Sequence, residues 1–149
     1  MFRIFEHDWK LAVLMLQKEF AQRLVAKPGV KDYSHLTVAC SYYCKAEILR
    51  TVPRGAFSPQ PKVDSAVVRL TPIEKPFETD DFFWETLNKL FQHKKKTIRA
   101  AIKSAKLYDR FHGNAVQLTL PPEMDKKRIV QCDLHDLMQI INILREHMH

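Results

Sequence analysis

Phe57 is the residue of this 149-residue chain best placed to meet a flat aromatic ligand. It lies in Thr51–Pro72 (TVPRGAFSPQPKVDSAVVRLTP), flanked by Arg54 and Lys62. Pro59 and Pro61 fix their own φ and push Ser58 and Gln60 toward extended backbone, so the loop is stiff. A stiff loop holding an aromatic face beside cations suits a nucleobase. Enzymes that act on a base take it out of the stack and hold it against an aromatic or apolar surface, and one such stack contributes about 1–3 kcal/mol. A loop Phe also serves as a packing plug, and residue type alone leaves both readings open.

A second group is electrostatic. Lys94, Lys95 and Lys96 are consecutive, with Arg99 and Lys103 four apart beyond them, and no acid occurs from Thr86 to Tyr108. Read as helix, three successive lysines spread charge over a broad surface, while Arg99 and Lys103 share one stripe. Phosphate neutralisation by such residues supplies affinity and register but little sequence choice; a solvated helix face is the bland alternative. The third group is Gln17, Lys18 and Glu19, with Arg23 one turn later, where an apolar run stops abruptly. In open α/β sheets ligands sit outside the carboxyl ends of strands. The alternative is an ordinary helix start, with Glu19 favourable in the first turn.

Bulk properties narrow the classes. Lys and Arg exceed Asp and Glu by 24 to 17, a net charge of +7, which favours a polyanionic partner. The three cysteines, Cys40, Cys44 and Cys132, form no CxxC pair, so neither a disulfide framework nor a zinc site is expected. No apolar run reaches transmembrane length, which sets the expectation of a cytosolic protein without membrane contact. The three glycines, Gly29, Gly55 and Gly113, stand far apart, so no Gly-rich turn brings backbone close to a phosphate, ribose or amino-acid cofactor.

The elements that must position these groups follow in order. Met1–His7 resembles the end of an amphipathic helix with Met1, Ile4 and Phe5 on one side. Leu11–Leu16 has the unbroken apolar pattern of a strand buried on both faces of a parallel sheet, and 20–25 continues as a short helix. Lys27–Asp32 is a Pro-Gly turn. Tyr33–Cys44 reads as a helix with Leu36, Ala39, Cys40 and Tyr43 inward, and Tyr42 and Tyr43 are candidates to line a groove. Ile48–Val52 is a strand stopped by Pro53, and Ser65–Leu70 is another. The composition shifts over Ile73–Thr79, which places the domain boundary there. Asp80 or Asp81 then caps a helix to about Gln92, with Phe83, Leu87, Leu90 and Phe91 inward. Lys94–Ala105 continues or restarts it, Leu107–Thr119 is irregular, and Pro122 starts a turn. Asp133 caps a closing helix with Leu134, Leu137, Met138, Ile141 and Leu144 inward.

LMLQKEFAQRLVAKPGVKDYSHLTV, then VPRGAFSPQPKVDSAVVRL, then FQHKKKTIRAAI closely resemble the KsgA-type ribosomal RNA adenine dimethyltransferases, in the same order over nearly the whole chain. The resemblance implies an α/β fold: 1–75 as the C-terminal half of a class I, Rossmann-like methyltransferase domain, and 76–149 as a small helical RNA-binding domain. It implies transfer of methyl groups from S-adenosylmethionine to N6 of adjacent adenines in small-subunit ribosomal RNA. In that reading Phe57 stacks on the flipped adenine. Arg23, Arg54, Lys62, Lys94, Lys95, Lys96, Arg99 and Lys103 contact RNA, and Gln17, Lys18 and Glu19 edge the active site. The family's glycine-bearing cofactor loop, acidic ribose contact and Asn-Leu-Pro-Tyr motif are not found in the sequence. The chain is therefore expected to bind small-subunit RNA without holding S-adenosylmethionine by itself. Unpaired sheet edges are expected to allow self-association. A non-catalytic ribosome assembly factor that keeps the RNA-binding surface is the alternative, and a generic basic α/β protein with Phe57 in its core is a third reading.

Overall fold

The computed structural model describes residues 2–107 and 118–147, which divide into two compact units. The first comprises Met1–Lys27 and Leu36–Pro76; the second comprises Pro28–His35 and Phe77–His149. Part of the stretch expected to be irregular, 108–117, and Met1 of the expected first helix lie outside the described residues.

The first unit is a three-stranded sheet with helices on one face. Strands β1 (Ala12–Gln17), β2 (Cys44–Val52) and β3 (Ser65–Pro72) lie in the order β1-β3-β2, with β3 antiparallel to both neighbours. Helix α1 (Lys18–Leu24) packs against all three strands, and α2 (His35–Tyr43) leads directly into β2. Period-two alternation sends Ala66, Val68 and Leu70 of the central strand into the core, all fully buried, beside Ala12, Ala21, Leu24, Cys40 and Cys44. Leu49 is the extra residue where the β2–β3 register shifts between Ile48 and Arg50.

Three expectations are corrected here. The Leu11–Leu16 run is an antiparallel edge strand, not a parallel strand buried on both faces: Val13 and Met15 are 54% and 55% exposed, because α1 and the core lie on the opposite face. The N-terminal turns form a 3-10 helix, Phe2–Glu6, and Ile4 and Phe5 still pack on the core. In α2 the fully buried tyrosine is Tyr42, whereas Tyr43 is half-buried and stacks on Phe5 with ring centroids 4.7 Å apart.

The second unit is helical. Asp80 caps α3 (Asp81–Phe91), Thr97 caps α4 (Ile98–Ser104) and Asp133 caps α5 (Leu134–Glu146) in a reciprocal capping box. Phe83, Leu87 and Leu90 of α3, Ile98, Ala101 and Ile102 of α4, and Leu137, Ile140, Ile141 and Leu144 of α5 are buried at helical spacing. Leu134, Met138 and Ala105, expected inward, are only half-buried. Among the described residues no helix is long and apolar enough to cross a membrane, and no group of three or more His, Cys, Asp or Glu is arranged to hold a metal ion.

Candidate functional site

The Phe57 loop is built by its own hydrogen bonds. Pro53, which has no N–H for the ladder, ends β2, and Arg54–Ala56 forms one 3-10 turn. Ala56 N donates to Pro53 O at 3.0 Å and Phe57 N to Arg54 O at 3.3 Å. The Ser58–Pro59 peptide is cis. Asp64 Oδ1 accepts from both Arg54 N (2.9 Å) and Arg54 Nε (3.1 Å), while Arg54 Nη1 donates to Lys62 O (2.8 Å). These bonds from the Arg54 backbone, then from its guanidinium, hold the Asp64 carboxyl below its ordinary value. Asp64 O also accepts from Lys18 N at 2.9 Å. One residue thus closes the loop on itself and ties it to the β1–α1 junction.

That tie places Phe57 beside the end of β1. An open cleft of about 340 Å³ is lined by Met15, Leu16, Gln17, Phe57, Pro59, Pro61 and Ser65. Gln17 and Ser65 face each other in register across β1 and β3. Phe57 is half-buried and Gln17 exposed. Of the expected active-site edge only Gln17 lines this cleft: Lys18 uses its backbone N–H to hold the loop, and Glu19 is exposed on the first turn of α1. Arg54 braces the loop from within. Lys62 is exposed on the loop, and Arg23 is exposed near the end of α1, where its carbonyl accepts from Thr37 Oγ1 at 2.6 Å.

The lysine cluster belongs to the second unit and does not lie on a helix. Lys94–Lys96 occupy the turn between α3 and α4. Val130 N and Ile129 N donate to Lys94 O (2.9 Å) and Lys96 O (3.1 Å), and Ile98 N donates to Lys127 O (3.0 Å). This ladder fixes the turn against a second basic segment, Lys126–Arg128, which composition alone does not single out. Three of the expected RNA contacts in this unit are also engaged internally. Lys94 Nζ donates to Lys31 O (2.7 Å) and Tyr33 O (2.9 Å), and Arg99 donates to Asp125 Oδ1 and Leu118 O, both at 2.8 Å. Lys96 Nζ donates to Ser104 Oγ at 2.6 Å. Lys95 and Lys103 are exposed, Lys103 on α4.

The cysteines are core residues. Cys40 and Cys44 Sγ atoms lie 3.5 Å apart and are buried; their hydrogen bond, then burial, keeps Cys40 protonated. Burial likewise pushes the Cys132 thiol up to about 12.

Comparison with known proteins defines the class. The chain superposes on a dimethyladenosine transferase from Plasmodium falciparum with a TM-score of 0.82, at 31% identity, over 98% of this chain and 62% of that one. The 23S rRNA methyltransferase ErmE shares the fold at a TM-score of 0.53 and 20% identity, covering 91% of this chain and 55% of that one. This is a methyltransferase fold. The ribosomal RNA adenine dimethylase profile matches residues 1–146, and the chain belongs to that family. Among its relatives is the probable ribosomal RNA small subunit methyltransferase A of Methanothermobacter thermautotrophicus, 40% identical over 141 residues, 93% of this chain and 51% of that protein. The protein of the same description from Methanosarcina barkeri is 40% identical over 144 residues, 95% of this chain and 50% of that one. The chain spans about half the length of the curated relatives it matches.

Proposed function

We propose that this chain supplies the base-holding and RNA-gripping parts of a small-subunit ribosomal RNA adenine N6,N6-dimethyltransferase. The observation that carries the reading is the Phe57 cleft: an aromatic side chain on a braced loop, at the end of a sheet strand, in a chain of the adenine dimethylase family. A flipped adenine stacked on Phe57 is held for reaction at N6. Its amino lone pair is delocalised into the ring, so positioning before attack on a methyl sulfonium matters more than it would for an ordinary amine. Lys94, Lys95, Lys96, Arg99 and Lys103 supply phosphate neutralisation in the helical unit, with Arg23, Arg54 and Lys62 cationic in the sheet unit.

Members of this family are S-adenosylmethionine-dependent methyltransferases. The glycines described in this chain do not fit a cradle for that cofactor. Gly29, at φ +95°, is in a turn bonded to Val130 O, and Gly55 is in the 3-10 turn before Phe57; neither has an atom within 4 Å of where a Cβ would stand. No methyl-transfer step is therefore assigned to residues of this chain, and RNA binding without transfer is its expected activity alone. The outer edge of β1 has no strand partner among the described residues, which supports self-association through that edge. The test is incubation of the purified chain with undermethylated small ribosomal subunits and labelled S-adenosylmethionine. Subunit binding without label is the expected result; dimethyladenosine carrying label would overturn the division of labour, and loss of subunit binding would overturn the RNA-binding role.

A further inference from the structure

The Phe57 cleft has a polar wall that the loop's own bonding leaves unused. Gln17 ends β1 and is also the N-cap of α1, where a side chain ordinarily accepts a bond from the first free helical N–H groups. Gln17 makes no such bond, and at φ −57°, ψ 139° its backbone is extended ahead of the helix. Opposite it in register stands Ser65, and directly opposed residues of an antiparallel pair send their side chains to the same face, about 5 Å apart. Both line the cleft with Phe57, Pro59, Pro61 and Met15. Stacking walls and a carboxamide–hydroxyl pair thus share one cleft.

Resting on the stacking role proposed for Phe57, we infer that Gln17 and Ser65 are specificity-determining residues that read the edge of the stacked base and select adenine over guanine. The reason is the pattern of donors and acceptors. Along its N7 edge adenine presents the N6 amino donor beside the N7 acceptor, and a carboxamide presents an acceptor beside a donor, so two bonds form together. Along that same edge guanine presents O6 beside N7, two acceptors, so the carboxamide oxygen faces another acceptor, and turning the amide over only moves the mismatch to the other position. Guanine's opposite edge, O6 beside N1–H, matches an inverted amide, so the selection belongs to the N7 edge. The Ser65 hydroxyl stands beside the amide and adds a further polar contact to the base that the amide matches. Dimethylation removes both N6 hydrogens, so the wall that accepts from N6 of the unmodified base has no N6 donor to accept from in the product.

The test is binding of the full chain to short single-stranded pyrimidine RNA carrying one central adenine, guanine or N6,N6-dimethyladenine, followed by fluorescence anisotropy. The unsubstituted chain is expected to prefer adenine over both other bases by about 5- to 150-fold, the discrimination a bidentate pair provides. Gln17→Ala is expected to bring that ratio close to one with the melting temperature unchanged; the isosteric Gln17→Glu, which still accepts from N6 but no longer donates to N7, and Ser65→Ala are each expected to lower it partway. Phe57→Ala weakens all three RNAs alike. Equal binding of adenine and guanine by the unsubstituted chain, or an unchanged ratio in Gln17→Glu while Phe57→Ala still weakens binding, overturns the reading role of Gln17 alone. No effect of Phe57→Ala on any purine RNA overturns the stacking role and this inference with it.

Discussion

Asp64 holds Arg54 twice through one oxygen: Oδ1 accepts from the Arg54 backbone N–H at 2.9 Å and from its Nε at 3.1 Å. A cation flanking Phe57 is thereby spent largely on loop geometry. The consequence is that the loop, rather than the sheet, responds to loss of this carboxylate. Asp64→Ala is expected to expose 54–64 to proteolysis several-fold faster while the sheet's circular dichroism is kept. The pH dependence follows from the lowered carboxyl value: the brace is complete above the ordinary carboxylate range and is lost as pH falls through the depressed folded-state value. Timed proteolysis at neutral and acid pH, read against a site in α5, checks both. Equal protection in the variant would mean that the prolines alone hold the loop.

Phe57 is half-buried, so truncation there removes surface contact more than core. Phe57→Ala is expected to weaken binding to purine-containing single-stranded RNA by about 1–3 kcal/mol, with Phe57→Trp close to unsubstituted. Its melting temperature is expected to move little. A large fall in melting temperature, with no separate change in RNA affinity, would make Phe57 a packing residue.

The basic residues of the helical unit divide by what they already hold. Lys95 and Lys103 are exposed, and neutralising either is expected to reduce the slope of log affinity against log salt by about one without lowering stability. Lys94→Ala is different, because Lys94 Nζ donates to Lys31 O and Tyr33 O. That variant is expected to lower the melting temperature as well, since two carbonyls lose a charged donor. Salt titrations of RNA binding, paired with thermal melts, separate the two classes.

Much of this architecture is legible in the sequence where local rules agree with tertiary ones. Asp80 and Asp133 announce their helices because a short acceptor preceding an apolar 3.6-residue repeat has little else to do. Pro53, Pro59 and Pro61 likewise mark the end of β2 and the stiffness of the Phe57 loop. Long-range pairing is what the sequence hides. Nothing local says that Asp64 reaches back to Arg54, or that Gln17 faces Ser65, because register is a property of two strands together. The Lys94–Lys96 turn misleads for the same reason: its residues have good helix propensity, but hydrogen bonds from Ile129 and Val130 claim its carbonyls. The Leu11–Leu16 run reads as doubly buried, yet one face of β1 is open among the described residues.

Asp80 combines two roles whose separation is testable. Its Oδ1 accepts from Phe83 N at 3.0 Å, capping α3, and the carboxylate also pairs with the Arg145 guanidinium of α5, Nη2 donating at 2.8 Å. The Arg145 bonds, then the Phe83 N–H, lower the Asp80 carboxyl from 3.8 to about 2. Because the folded-state value is depressed, the contribution is fully present above about pH 4 and fades as pH falls toward 2. Removing the cap costs about 0.5–2 kcal/mol. The ion pair is about half exposed on the Asp80 side, so solvent screening leaves it about 0–1 kcal/mol. Asp80→Asn retains a capping acceptor and loses only the charge, whereas Asp80→Ala loses both. The expected order of melting temperature at neutral pH is unsubstituted, then Asn, then Ala, with each kcal/mol worth about 4–8 °C in a unit of this size. Between pH 4 and 2 the gap between the unsubstituted chain and Asp80→Asn is expected to close, because the native carboxylate becomes protonated. A gap that persists at pH 2 would mean that the cap geometry, and not the charge shared with Arg145, is what Asp80 contributes to the helical unit.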